Sequence, residues 1–311
     1  MTEGTVITRR RAITIIAGGV GAFFAGPAQA APIFEWRGTA LGANARIILA
    51  HPDRHFANSA LAAVCQEIER LENIFSLYRQ NSALSQLNRA GTLTPAPLEL
   101  IDLTRRALWF TTITNGAFDI TVQSLWALYA KHFQAHPNDT TGPSRASIDA
   151  VRRCIGPDCI RIDPPSLHLA PGTHLTFNGI AQGYITDRAA NLLRQRGWNN
   201  VLINLGETRA LGAHPDGRPW RINLPNGGEA KIKETAIATS NSVGTRFTDN
   251  APQHHLFDPQ TGQSATERGA VTIAAPDAVD ADALSTALFV MPPNIRQQVL
   301  LHVPGSRLIN G

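Results

Sequence analysis

Along this chain the spacing of apolar residues changes period several times, and each change predicts an element. Phe34 to Ala50 alternates in short runs around Gly38 and Gly42, the pattern of a hairpin or two strands. From Asp53 the period lengthens: Phe56, Leu61, Val64, Ile68, Leu71 and Phe75 recur at three and four residues, which predicts an amphipathic helix ending near Phe75. Further helical patterns cover Ser82 to Asn88, Leu98 to Thr114 and Thr121 to His132. His136 to Ser144, rich in Pro, Asn, Asp, Thr and Gly, reads as a loop or a hinge between two lobes.

Beyond it, short strands are predicted at Ile160 to Ile162, Leu167 to Leu169 and Leu175 to Phe177, then a helix from about Ile180 to Arg196 and a strand at Val201 to Leu205. Strand patterns continue at Trp220 to Leu224, Ala236 to Thr239, His254 to Phe257 and Val271 to Ala274. A helix around Asp282 and another near Asn294 to Leu301 close the chain. Strands and helices mix without strict alternation, so the expected class is α+β rather than a doubly wound parallel sheet.

The first thirty residues stand apart. Arg9, Arg10 and Arg11 precede an apolar run from Ala12 to Ala25 that four glycines interrupt or border, and Ala28-Gln29-Ala30 offers a small-residue cleavage site. Residues 1–30 are therefore expected to be a signal peptide of twin-arginine type, and 31–311 one exported domain of the periplasm. Of the 311 residues 43% are hydrophobic, ample for a sizeable core. The formal charge is +4, of which +2 remains from Ala31 onward. With no Lys/Arg run and no aromatic stripe, nucleic-acid binding is not expected. Cys154 and Cys159 bracket a turn that could close a small disulfide; no C-x-x-C occurs, so neither a zinc knuckle nor a thioredoxin-like site is signalled.

Candidate chemistry concentrates in five segments. In Asp280-Ala281-Asp282-Ala283-Leu284-Ser285-Thr286, the carboxylate of Asp282 and the hydroxyl of Thr286 lie one helical turn apart on one face. That is a seat for a hard cation such as magnesium, or an ordinary buried helix in which Asp282 caps or pairs. His254-His255-Leu256-Phe257-Asp258-Pro259 sets imidazoles beside a tight turn. Phe177-Asn178-Gly179-Ile180-Ala181-Gln182-Gly183-Tyr184 runs from a strand into a helix whose first N–H groups suit an anion. Gly116-Ala117-Phe118-Asp119 ends one helix and opens the next, as a ligand loop or a plain corner. Tyr78, after the first long helix, could stack on a planar ligand or pack in the core.

Taken in order, FSLYRQNSALSQLN, GAFD, GIAQGY with TDRA, HHLFDPQTG and DADALSTALFV resemble the ApbE family, the FAD:protein FMN transferases, over nearly all of residues 34–301. The resemblance implies a bilobed α+β fold related to the tunnelling fold. It implies an FAD site lined by Leu41, Tyr78, Ala117, Phe118, Asp119, Asn178, Tyr184 and Leu256. Magnesium would be held by the side chains of Asp282 and Thr286 and the carbonyl of Ala181. His255 is the candidate base, since neighbours in a strand point to opposite faces and only one of the pair can reach the site. The implied reaction transfers FMN from FAD to a Ser or Thr of an acceptor protein and releases AMP; hydrolysis of FAD or simple flavin carriage are the alternatives.

This chain departs from the family pattern at three places. Gln182 stands where many members have lysine, Gly206-Glu207-Thr208 where Gly-Gly-Asp is frequent, and Thr239-Ser240-Asn241 where Thr-Ser-Gly is usual. The glutamate could narrow the pocket or merely move a carboxylate by one residue. With the leader, these variants resemble the NosX branch, which serves maturation of the nitrous-oxide reduction system. The partners so implied are a NosR-like membrane flavoprotein as acceptor and the twin-arginine translocase during export.

Overall fold

The computed structural model describes residues 32–225, 227–248, 252–266 and 269–310; residues 1–30, expected to be a signal peptide, lie outside the described residues. The class is α+β, as the mixed pattern predicts. The main sheet has seven strands, all antiparallel, and their order across the sheet is their order in the chain. They are Ile33–Ala40, Ala43–Ala50, Val201–Asn204, Thr208–Leu211, Ala236–Asn241, Ala270–Ala275 and Arg307–Asn310.

The period-2 pattern divides the two faces of this sheet. Ile47, Leu49, Val201, Ile203, Leu211, Ala236, Ala238, Val271 and Ile273 join the principal core. Their neighbours Ile48, Leu202, Ala210, Ile237 and Ala274 form a second core with Trp220 and Ile232, from the hairpin of Trp220–Asn223 and Glu229–Ile232. A one-residue slip in any central strand would exchange the two sets, so the register is strongly specified.

Eight helices are described: α1 (Arg54–Phe75), α2 (Ala83–Ala90), α3 (Leu98–Ile113), α4 (Gln123–Ala135), α5 (Arg145–Arg152), α6 (Ala181–Gln195), α7 (Ala278–Val290) and α8 (Pro293–Leu300). The predicted first helix begins as its sequence requires, with the Asp53 carboxylate accepting from the N–H groups of His55 and Phe56. Helices α1, α6 and α7 cover one face of the sheet. Helix α7 is apolar nearly all round and is buried on every side but one. A three-stranded sheet of Thr92–Leu93, Ser166–Leu169 and Ile160–Asp163 packs against α2. None of the described helices is long and apolar enough to cross a membrane.

Three local expectations are corrected. Leu175 to Phe177 is extended but pairs with no strand: the Leu175 N–H donates to the Asn88 side chain and the Thr176 N–H to the Ile120 carbonyl. The strand expected at His254 to Phe257 shrinks to Phe257–Asp258, paired with Gln263–Ser264, and His254 makes only an isolated bridge to Arg246. The loop 136–144 does not separate two lobes. It joins α4 to α5, which share a cluster of Leu125, Tyr129, Phe133 and Ile148 with Phe257. Cys154 and Cys159 are free thiols.

Candidate active site

Two helix beginnings, on α6 and α7, build the floor of the site by serving each other. The first N–H groups of a helix lack partners inside it and need external acceptors. The Gly183 N–H, in the first turn of α6, donates to Asp282 Oδ2 on α7 at 2.9 Å. In return Asp187 of α6 accepts the N–H groups of Ala278 and Val279 at the start of α7, each at 2.9 Å. Arg209 ties this corner by pairing with both Asp187 and Asp277, and Arg106 pairs with Asp280 at 2.5 Å. The helices meet so closely that a Cβ on Gly183 would fall 2.2 Å from the Ala278 carbonyl oxygen. Glycine there is a steric requirement.

Above this floor opens a cavity of about 590 Å³. Its wall includes Leu41, Tyr78, Ala117, Phe118, Asp119, Asn178, Leu256, His255, Asp282 and Thr286, so six segments far apart in sequence converge on one space. Two expected residues are absent from its side-chain lining, although the expectation for Ala181 concerned its backbone carbonyl. Ala181, the first residue of α6, is buried in the core, and Tyr184 lies edge-on to Phe75 with ring centroids 5.5 Å apart. Neither side chain is part of the cavity wall, because the α6 helix turns both inward among apolar neighbours.

Each wall has a local cause. Leu41 occupies the tip of the first hairpin with φ 46°, and its N–H donates to Glu72 Oε1 at 2.9 Å; Glu72 in turn pairs with Arg79, next to Tyr78. Tyr78 itself is 79% exposed, at the mouth of the cavity rather than in the core. At the other corner Gly116 is left-handed at φ 82°, as a helix C-terminus prefers. Asp119 does not cap α4 directly. Its carboxylate accepts from the Thr121 N–H at 2.8 Å and the Thr121 hydroxyl at 2.5 Å, and burial raises its pKa against those bonds. The Gln260 side chain donates to the Asn115 carbonyl at 3.0 Å, which joins the Asp258-Pro259 turn to this corner.

The two histidines differ sharply. His254 is 4% exposed and edge-on to Phe289. Its Nδ1 accepts the Leu256 N–H at 3.2 Å and its Nε2 donates to the Ala265 carbonyl at 2.9 Å, so both nitrogens are committed. His255 faces the cavity and its Nδ1 lies 3.1 Å from the Thr245 carbonyl oxygen. A carbonyl only accepts, so Nδ1 carries the proton and Nε2 keeps a free lone pair. Burial lowers the His255 pKa, the Thr245 carbonyl partly opposing, and the ring is neutral near pH 7.

The carboxylates of the floor sit in an environment that resists charge. Asp282 is 3% exposed, and burial pushes its pKa up to about 7 despite the opposing Gly183 N–H. Glu207, which sequence reasoning treated only as a departure, also lines the cavity. Burial first and the Asp282 charge second hold its pKa well above the usual carboxylate range, with the Thr239 N–H pulling the other way. Thr286 Oγ1 lies 3.3 Å from Ser240 Oγ. A Cβ on Gly179 would come within 2.8 Å of Thr286 Oγ1, so glycine keeps the space beside that hydroxyl open. Carboxylate and hydroxyl oxygens around a cleared space fit a hard cation. Zinc is disfavoured, as no group of three His, Cys, Asp or Glu side chains gathers among the described residues.

The model of the ApbE family matches residues 41–305, which spans every wall of this cavity. The chain belongs to the ApbE family. It is 28% identical over 294 residues to a FAD:protein FMN transferase of Klebsiella pneumoniae, covering 89% of this chain and 83% of that protein. Among solved structures, the ApbE protein of Thermotoga maritima superposes with a TM-score of 0.78 at 29% identity, over 89% of this chain and 93% of that one. The apo flavinyl transferase ApbE of Pseudomonas stutzeri gives 0.73 at 26% identity, over 86% and 87%. The ApbE fold follows, with its helices and antiparallel sheets arranged as in these relatives.

Proposed function

We propose that this ApbE-family chain transfers FMN from FAD to a serine or threonine hydroxyl of an acceptor protein. The observation that carries the reading is the convergence of Asp282, Thr286 and the His255 imidazole on one 590 Å³ cavity in a chain of this family. The relatives' activity supports the substrate.

Asp282 and Thr286 would hold magnesium with the Ala181 carbonyl. Bound there, the ion would withdraw charge from the FAD pyrophosphate and ease departure of AMP. The chain's own groups do the rest. Leu41 and Tyr78 at the mouth, with Phe118 and Leu256 deeper, provide apolar surface for a planar ring. Asp119 and Asn178 offer polar contacts on the same wall. His255 Nε2 takes the proton of the acceptor hydroxyl as its oxygen bonds to the FMN phosphorus and the bond from that phosphorus to the AMP oxygen breaks. The Thr245 carbonyl steadies the resulting imidazolium through Nδ1–H. His254, whose two nitrogens are committed, holds the turn that aims its neighbour.

The leader supports export to the periplasm by the twin-arginine route. The departures at Gln182, Glu207 and Asn241 support a place in maturation of the nitrous-oxide reduction system, with a NosR-like membrane flavoprotein as acceptor. The test is co-expression with a protein carrying the acceptor Ser/Thr motif. The acceptor should gain the mass of FMN in a manner that depends on its hydroxyl residue. AMP released from FAD with no mass gain would replace transfer by hydrolysis, and FAD bound without either product would leave only a flavin carrier.

A further inference from the structure

We propose that Glu207 is a second carboxylate ligand of the cation held by Asp282 and Thr286. The proposal rests on the metal reading above and adds a residue to it.

Glu207 sits at the turn between the strands Val201–Asn204 and Thr208–Leu211, where the Leu205 N–H donates to its carbonyl at 3.0 Å. That turn delivers its side chain to the cavity that Asp282 and Thr286 line, and the residue is 8% exposed. Its carboxylate accepts the Thr239 N–H. Among the described residues no Lys, Arg or His pairs with it, and Asp282 likewise has only the Gly183 N–H. Arg209, the nearest candidate in the sequence, is engaged by Asp187 and Asp277 instead.

Gln182 sharpens the point. Its amide packs against Gly206, within 2.6–2.8 Å of where a Cβ on that residue would lie. The group beside the turn is therefore neutral, where an ammonium would have balanced a carboxylate. Two buried carboxylates facing one space without a cationic side chain repel each other and lose hydration, an arrangement costly in isolation. A divalent cation between them supplies the missing charge. Both are oxygen donors of the kind magnesium and manganese take, and a glutamate one methylene longer than aspartate reaches across a wider gap.

The experiment measures Mn²⁺ binding to the full mature protein without flavin, by titration calorimetry and by the loss of free-Mn²⁺ paramagnetic resonance, alongside melting in EDTA. E207Q should bind Mn²⁺ at least tenfold more weakly than the unaltered protein. In EDTA it should melt higher, because a buried ionisable carboxyl is replaced by a neutral amide of the same shape, and its stabilisation by added Mn²⁺ should shrink. A merely structural Glu207 would give the opposite pattern, a lower melting temperature in EDTA with Mn²⁺ affinity intact, and that result overturns the proposal. Binding lost in D282N but unchanged in E207Q also overturns it while leaving the metal site standing. Unchanged binding in both variants sinks the metal reading itself. If E207Q fails to fold, E207D takes its place: weakened Mn²⁺ binding from the retracted charge supports the assignment, and undiminished binding refutes it.

Discussion

The burial of Asp282 makes a quantitative forecast about pH. Its carboxyl titrates near 7 in the folded, metal-free protein, against an ordinary value of 3.8. Between those values the folded state holds a proton that the unfolded chain has released. The group's stabilising contribution is thus complete below pH 3.8 and is lost as pH rises through about 7. At roughly 1.4 kcal/mol per tenfold change in acidity, the span from 3.8 to about 7 amounts to about 4 kcal/mol. A cation that needs the ionised carboxylate must displace this proton. Apparent magnesium affinity should therefore rise at least about tenfold per pH unit up to pH 7, and more steeply where Glu207, whose pKa is also raised, must give up a proton as well.

Isothermal titration between pH 5 and 8, with buffers of differing ionisation heat, measures both the affinity and the proton released. The expected gain from pH 5 to 7 is at least about a hundredfold, with release of one to two protons per cation at the acid end, the second from Glu207. Melting in EDTA should move the other way and fall as pH rises across the same interval. Asp282→Asn should lose the cation and with it the rise of affinity with pH. A magnesium affinity independent of pH from 5 to 7 in the unaltered protein would refute the reasoning, since it would mean that Asp282 is ionised throughout or does not hold the metal.

The histidines should separate cleanly. His255→Ala should bind FAD with little change yet transfer FMN about a hundredfold more slowly, whereas His254→Ala should lose about 1–3 kcal/mol of stability through its unpaired neighbours, read by denaturant melts. Single-turnover assays showing the reverse ranking would move the base to His254. For export, N-terminal sequencing of the mature protein should begin at Ala31, and replacing Arg9 and Arg10 by Lys should retain the precursor in the cytoplasm. Unimpaired export of that variant would point to the general secretion route.

Local periodicity carried much of the fold. The helix over Arg54–Phe75, the first hairpin and the α6 and α7 segments lie within a few residues of where their apolar spacing puts them, because there one amphipathic face meets one core. The signal fails where burial depends on a distant partner. Thr208–Leu211 contains Arg209, which breaks the apolar pattern of a strand, yet all four residues are buried because Asp187 and Asp277 pair with that arginine. Leu175 to Phe177 has the composition of a strand but finds side-chain and loop partners instead of a ladder. Helix α5 went unpredicted although Ser144, whose hydroxyl accepts the Ser147 N–H at 3.3 Å, is a legible N-cap.

For the site the division is similar. One helical turn is enough to place Asp282 and Thr286 on a common face, and motif order alone was enough to suggest the family. Strand facing named His255 as the base, but what separates the two imidazoles is which carbonyls and N–H groups their ring nitrogens meet after folding, and no local pattern carries that. Nor could sequence show that Ala181 and Tyr184 turn into the core, or that Glu207 lies with Asp282 on one cavity. The hairpin turn at Glu207 and the α7 helix are separated by more than seventy residues. Only the closure of the antiparallel sheet over α6 and α7 brings their carboxylates into one water-poor space, and it is that shared desolvation, absent from any local pattern, that makes them a candidate for binding a cation.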